Sequence, residues 1–182
     1  MQIRAMDSYR PFRRAAALFN PRERNSVVTI EEMASLLAPH GATLDTLPVP
    51  LLDGKPQPGA IPDLVAAARS AGAEWLYIPP DTFLNEHRSA LTAAALREGL
   101  PSFAASERFV AYADGLAGLV SRYYSVGAFT GFKAEQILFG GVAPEAVPVE
   151  TLSRFSYLVR MDTARRLRVY PPVELLRIAE AV

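Results

Sequence analysis

Residues 74–83 read Glu74-Trp75-Leu76-Tyr77-Ile78-Pro79-Pro80-Asp81-Thr82-Phe83, and this stretch decides the fold. The run EWLYIP is bulky, β-favouring and apolar without alternation, the pattern of a strand buried on both faces. Pro79-Pro80 ends it, because proline has no N–H for the ladder. Asp81 or Thr82 then caps a helix predicted to run to about Gly99, with Leu84, Leu91 and Ala95 on one face and Ala90 and Ala94 beside it. A doubly buried strand that passes at once into a helix is half of a βαβ unit, and such units build parallel sheets.

The flanking sequence repeats the pattern. Residues 14–20 (RAAALFN) form a short apolar run ended by Asn20-Pro21, a strand leading into a turn. Asn25 and Ser26 offer helix caps, and Val27, Ile30, Met33, Ala34 and Leu37 fall on one helical face before Pro39-His40-Gly41. A strand is predicted over 42–49, a surface loop over 51–62, a helix over 61–71 with Gly72 at its end, and a strand over 101–105. The fold class is therefore α/β, a Rossmann-like parallel sheet flanked by helices with right-handed crossovers. Ligands of such sheets bind beyond the carboxyl ends of the strands, here the loops 20–26, 79–82 and 105–108. The remainder is less regular. Residues 115–124 read as a strand with an aromatic end, 126–138 as a helix closed by Gly140-Gly141, and 148–161 as a long strand with Phe155, Tyr157 and Val159 on one face. Short helices over 162–168 and 172–181 finish the chain.

Composition narrows the function. At 182 residues, with 50% apolar and 21% charged residues, the chain can bury a real core. Nineteen basic residues balance nineteen acidic ones, which removes the electrostatic case for nucleic acid. Zero cysteines exclude disulfides, iron–sulfur clusters and thiolate zinc sites, and His40 and His87 alone do not make a histidine metal site. No metal and no cofactor is expected. Arg4, Arg10, Arg13, Arg14, Arg22 and Arg24 read as a solvated face. The first 14 residues lack the apolar core and cleavage site of an export signal, so the sequence as written reads as cytoplasmic.

The motifs speak against catalysis. Gly127-Ala-Phe-Thr-Gly131-Phe-Lys133 has its lysine misplaced for a phosphate loop, and Ala134 stands where a magnesium-binding hydroxyl belongs. Its two glycines instead suit close packing against a neighbouring helix. No G-x-S-x-G elbow exists, and His87 reads as a surface or packing residue. No catalytic residue is assigned. What remains is a set of polar residues at strand ends. Asn25 and Ser26, at a helix start with free N–H groups, can receive a carboxylate or act as plain caps. Asp81 can face a ligand ammonium or cap its helix. Ser106 and Glu107 follow a strand, and Tyr123-Tyr124 can form an aromatic wall.

Taken together, Leu18-Phe-Asn-Pro-Arg-Glu-Arg-Asn-Ser26, Tyr77-Ile-Pro-Pro-Asp-Thr-Phe83, Pro101-Ser-Phe-Ala-Ala-Ser-Glu-Arg-Phe109, Ser121-Arg-Tyr-Tyr124 and Arg154-Phe-Ser-Tyr157 resemble the ABC-transporter substrate-binding proteins of tryptophan/tyrosine type. The resemblance runs in order along essentially the whole chain. It implies a type I periplasmic binding protein: two Rossmann-like lobes that close on a small ligand, such as an aromatic amino acid, and deliver it to an ABC permease. It implies that Asn25, Ser26, Asp81, Thr82, Ser106, Glu107 and Tyr124 lie near the interlobe cleft, and that the parent protein is periplasmic and non-enzymatic. It further implies that the sequence enters at the crossover into the second lobe. Residues 1–12 are then crossover, 13–104 an α/β lobe, 105–146 a segment returning to an absent first lobe, and 147–182 the return that completes the lobe. The expectation is a solute-binding component without its first lobe, with Leu116, Leu119, Val120, Phe129 and Ile137 exposed and available for self-association. The alternatives are a ligand-sensing or dimerising half-module of the same fold, and a small α/β enzyme, against which the lack of a nucleophile–base pair argues.

Overall fold

A computed structural model describes residues 1–182. The chain runs α1 (Gln2–Tyr9), β1 (Arg14–Phe19), α2 (Arg24–Leu37), β2 (Thr43–Pro48), β3 (Leu51–Leu52), β4 (Lys55–Pro56), α3 (Ile61–Ser70), β5 (Trp75–Ile78), α4 (Thr82–Glu86) and α5 (Arg88–Arg97). It continues with β6 (Ser102–Ala104), α6 (Glu107–Ala111), β7 (Ala117–Val120), α7 (Tyr123–Leu138), β8 (Ser156–Val159), α8 (Met161–Leu167), α9 (Val173–Leu176) and β9 (Ala179–Ala181). Seven strands form one sheet in the order β2-β1-β5-β6-β7-β8-β9. The first five are parallel; β8 runs antiparallel to β7, and β9 lies parallel to β8.

The strand alternation divides the core. In β5, Trp75 and Tyr77 point to one face and Leu76 and Ile78 to the other, and all four are buried. Ala16, Leu18, Leu76 and Ile78 pack under α3 and α5 through Ile61, Val65, Leu91 and Ala95. On the opposite face Ala15, Ala17, Trp75 and Phe103 lie under α1 and α2 through Met6, Ile30, Met33 and Leu37. Covering both faces is what a parallel sheet requires, and it explains why β1 and β5 carry no polar alternation. The close fit of β6 on β7 depends on a missing side chain: a Cβ on Gly118 would stand 2.6 Å from the Ala104 carbonyl oxygen.

Several local expectations change. Residues 1–12, for which no element was predicted, contain α1, held by buried Ile3, Ala5 and Met6. The long helix after Asp81 is two helices, because His87 leaves the helical region (φ −100°, ψ 20°), its ring tilted 59° against that of Phe83 with centroids 4.7 Å apart. The loop 51–62 holds a hairpin, turned by Asp53 and Gly54 at φ 49° and 74°, the two positive values of a type I′ turn. The strand expected over 115–124 stops at Val120, so Tyr123 and Tyr124 begin a helix. The strand expected over 148–161 shortens to β8, since β7 offers it four partners, and Phe155 lies outside it while Tyr157 and Val159 stay on one face. The terminal helix over 172–181 shrinks to α9, and β9 takes its place by pairing with the free edge of β8. Leu116 and Val120 are buried in the sheet, and Leu119, Phe129 and Ile137 are half-buried, so the exposed apolar surface is not the one expected. It includes Tyr123, Tyr124, Val126, Phe132, Leu138 and Phe139 instead, on or just past α7, a helix without a single buried residue, along with scattered residues such as Leu52, Val149 and Ile178. Gly127 and Gly131 have no chain atom within 4 Å of where a Cβ would stand, so no helix of this chain packs on them.

Candidate functional site

Because β1, β5 and β6 run parallel, their carboxyl ends emerge on one edge, and the loops that follow them meet there. The loop after β1 and the loop after β5 are joined by a dense set of hydrogen bonds. The Ser26 hydroxyl donates to Asp81 Oδ2 (2.7 Å) and lies 3.1 Å from the Pro80 carbonyl oxygen, and Asn25 Nδ2 donates to the same carbonyl (2.8 Å). The Asn20 N–H donates to Asp81 Oδ2 at 2.8 Å. Asp81 Oδ1 accepts the Leu84 N–H at 2.9 Å and so caps α4, as an aspartate at this position does.

Asp81 is 4% exposed and has both oxygens engaged by three donors, so the capping role is the one the geometry displays, extended to a tie between loops. The ammonium expected to face it would have to displace those donors. Thr82 is also tied back: its N–H lies 2.9 and 2.8 Å from the two Glu23 oxygens, and its hydroxyl donates to Oε1 at 2.9 Å. Glu23 is the residue before α2, yet its carboxylate crosses to Thr82 and does not cap its own helix. The N–H groups of the first turn of α2 are consequently left without a side-chain acceptor, a favourable end for a carboxylate. Asn25 and Ser26 are the second and third residues of α2, inside the helix, and their side chains point across to Pro80 and Asp81.

On the other side stands the start of α7. The Tyr123 hydroxyl lies 3.5 Å from Ser106 Oγ, and the Tyr123 N–H donates to Glu107 Oε1 at 3.3 Å. Glu107 Oε2 pairs with Arg122 Nε at 3.0 Å, and Arg122 reaches on to Glu180 at 3.3 Å. A cavity of about 120 Å³ lies between these groups, lined by Glu23, Asn25, Pro80, Asp81, Thr82, Asn85, Ser106 and Tyr123. Asn85 Oδ1 is buried with no donor.

The structure thus brings together Asn25, Asp81, Thr82 and Ser106, with Ser26 and Glu107 immediately behind them. It does not bring in Tyr124, which is 86% exposed; the tyrosine at the cavity is Tyr123, because the helix starts there and successive residues point about 100° apart. Glu23 and Asn85 were missed by the sequence reading as members of the site, and of the Tyr123-Tyr124 pair read as an aromatic wall only Tyr123 lines the cavity. Asn85 had a legible signal, since it lies one helical turn after Asp81.

A larger groove of about 370 Å³ runs between α1 and α2, lined mostly by apolar side chains including Ile3, Met33, Leu36 and Phe155. Its polar floor is already satisfied, for the Tyr77 hydroxyl donates to Gln2 Oε1 at 2.9 Å. Burial, with the nearby Glu32 carboxylate, pushes that phenol well above its ordinary value and keeps it neutral. The groove offers few of the convergent polar groups found at the strand ends, which favours the smaller cavity as the ligand site.

Comparison with known proteins identifies the family and the fold. Residues 2–182 match the family described as ABC transporter substrate binding protein. No curated protein is similar to the chain at a significant level. Among solved structures, the chain is similar to an ABC domain in complex with L-Trp from Streptococcus pneumoniae, with a TM-score of 0.81 and 21% identity over 100% of this chain and 60% of that one. A conserved domain protein from Vibrio cholerae gives a TM-score of 0.83 and 20% identity over 98% and 58% of the two chains. A ligand-free, open substrate binding protein with adhesive properties from Clostridium difficile gives 0.78 and 19% over 100% and 58%. At these identities the likeness shows the fold, and the chain spans about 60% of the length of these neighbours.

Proposed function

Since the chain belongs to the family of ABC transporter substrate-binding proteins, we propose that it forms one wall of a solute-binding site that serves an ABC importer. The observation that carries the reading is the convergence of Asn25, Thr82, Ser106 and Tyr123 on a polar cavity at the carboxyl ends of parallel strands, where ligands of such sheets bind. The opposing wall belongs to a second unit, the counterpart of the part of the neighbours that this chain does not cover. Residues 13–104 and 147–182 belong to the lobe on this side together with α6 and β7, which lie in the same core and sheet, and of 105–146 it is the stretch from α7 onward that leads toward the other. In this reading the protein works in the periplasm, hands its ligand to permease subunits and breaks no bond.

The ligand class we assign is an aromatic amino acid. The neighbour bound to L-Trp supports it, and so does the chemistry of the wall. The open N–H groups at the start of α2 suit a carboxylate, Asn85 Oδ1 is an acceptor awaiting a donor, and the Tyr123 ring offers an aromatic surface. Asp81 holds the wall together and does not serve as the counterion of the ligand. With one wall only, binding is weak: losing contacts worth ~3 to 4 kcal/mol costs more than about a hundredfold in affinity. Saturation-transfer NMR with L-tryptophan, L-tyrosine and L-alanine tests this. The expected result is transfer to the two aromatic amino acids, reduced at least about tenfold in apparent affinity by Asn85→Leu. No transfer to any aromatic amino acid refutes the ligand class, and nanomolar binding by this chain refutes the need for a second wall.

A further inference from the structure

The cavity at the strand ends is acidic. Of the eight residues that line it, Glu23 and Asp81 carry carboxylates and none is basic. The two acids are in different condition. Asp81 is buried and accepts the Asn20 and Leu84 N–H groups and the Ser26 hydroxyl, so its oxygens are taken. Glu23 is half-buried and accepts from Thr82 alone: Oε1 takes the hydroxyl, and Oε2 shares only the N–H, at 2.8 Å. A carboxylate offers about four acceptor positions, so Glu23 keeps lone pairs to give. No lysine, arginine or histidine pairs with it. Asn85 Oδ1, one helical turn beyond Asp81, adds an acceptor that is buried and without a donor. The cation nearest to it in sequence, Arg88, spends Nη1 on the Asn85 main-chain carbonyl at 2.9 Å and does not line the cavity.

We infer that this cavity is a cation subsite, in which Glu23 supplies the counter-charge to a primary ammonium and Asn85 Oδ1 takes a second of its three N–H donors. The inference rests on the reading of this cavity as the ligand site, and it fixes which end of the solute enters. At about 120 Å³ the space is well below the ~300 Å³ that encloses a whole drug-sized ligand, so it receives one end only. An anionic end would meet two carboxylates away from bulk water, where like charges repel most strongly. An ammonium finds there the two acceptors that the chain leaves unfilled. An amino acid therefore binds with its ammonium inward, its carboxylate toward the open N–H groups of α2 and its side chain leading out past Tyr123. The site selects amines and rejects solutes whose leading group is anionic or neutral.

Tryptamine and indole-3-ethanol differ only in ammonium against hydroxyl, so NMR titration of the 182-residue chain with each tests the subsite without a ligand carboxylate. Tryptamine should bind about tenfold more tightly or better, the worth of a charge-assisted bond, and its advantage should shrink as salt is added. Glu23→Gln keeps an oxygen for the Thr82 donors and should bring the two ligands within about twofold of each other, with the far-UV circular dichroism unchanged. Asn85→Leu leaves the Glu23–Thr82 bonds in place and should weaken tryptamine about tenfold. L-tryptophan titrated alongside separates this inference from the ligand reading. Glu23-dependent binding of tryptamine without binding of L-tryptophan refutes the amino-acid ligand and upholds the cation subsite. No binding of tryptamine, equal binding of tryptamine and indole-3-ethanol, or a preference that survives in folded Glu23→Gln overturns the subsite.

Discussion

Replacing Asp81 by alanine tests whether one carboxylate holds the wall of the site together. The substitution removes the cap of α4, usually about 1 kcal/mol. It also strips two donors of their acceptor. The Ser26 hydroxyl keeps the Pro80 carbonyl at 3.1 Å, but the Asn20 N–H has no other partner, and an orphaned donor costs about 1–3 kcal/mol. Adding the loss of a charge-assisted bond from Ser26, the expected destabilisation is about 3 kcal/mol and less than about 5. Urea unfolding followed by the single, fully buried Trp75 reads this directly. With a slope near 2 kcal/mol/M, the midpoint should fall by roughly 1.5 M. Asp81→Asn keeps one carbonyl oxygen for the donors and should show about half the effect. An alanine variant within about 0.5 kcal/mol of the parent, with an unchanged slope, would refute the assignment of Asp81 as the tie between the loops.

Three other outcomes follow from single contacts. Gly118→Ala drives a methyl to 2.6 Å from the Ala104 carbonyl, so β6 and β7 must separate; a loss of about 1–3 kcal/mol in the same unfolding assay is expected, and a neutral result would contradict the observed strand spacing. Arg160→Met removes the bonds from Nε and Nη2 to the Val110 and Ala111 carbonyls (2.9 and 2.8 Å) that end α6, and should cost about 2–3 kcal/mol, with faster amide exchange in α6. Burial pushes the Tyr9 phenol up to about 12 from 10.0. Its neutral form is the one the folded state favours, so its contribution is complete below pH 10 and is lost as pH rises from about 10 through 12, to a total of roughly 2–3 kcal/mol. Tyr9→Phe should flatten the alkaline fall in stability, and an identical slope in both proteins would show that Tyr9 does not govern it.

The parallel half of the sheet was legible because its strands are doubly buried. RAAALF and WLYI carry no polar residue between their ends, and each is punctuated by proline or a polar cap. Helices α2 and α3 were legible for the same kind of reason, since Ile30, Met33 and Leu37 in one and Ile61, Val65 and Ala68 in the other mark a single face. The second half resisted because its pattern answers to tertiary pairing. Residues 172–176 and 179–181 have local preferences compatible with one helix, and the unpaired edge of β8 converts the end into a strand. Tyr123 and Tyr124 suit a strand by propensity, yet β7 ends at Val120 and α7 starts at Tyr123, where Arg122 pairs with Glu107, a tertiary contact that composition does not reveal. The hairpin at Asp53-Gly54 had a clear signal, an Asp-Gly pair, that the surrounding prolines obscured. Within the site, the strand-end loops were legible while the direction of each side chain was not. Asn25 and Ser26 were read as a carboxylate receptor or as plain caps of their helix, and their side chains instead bond across to Pro80 and Asp81.

The bonds from Asn20, Asn25, Ser26 and Thr82 to Pro80, Asp81 and Glu23 have a consequence for the economy of recognition. Loops at binding sites are commonly ordered by the ligand itself, at roughly 0.5–1.5 kcal/mol for each side chain that must be frozen. Here those two loops are already frozen against one another, so a solute that reaches them meets a rigid palm. The cost of ordering this wall is met in folding, before any ligand arrives.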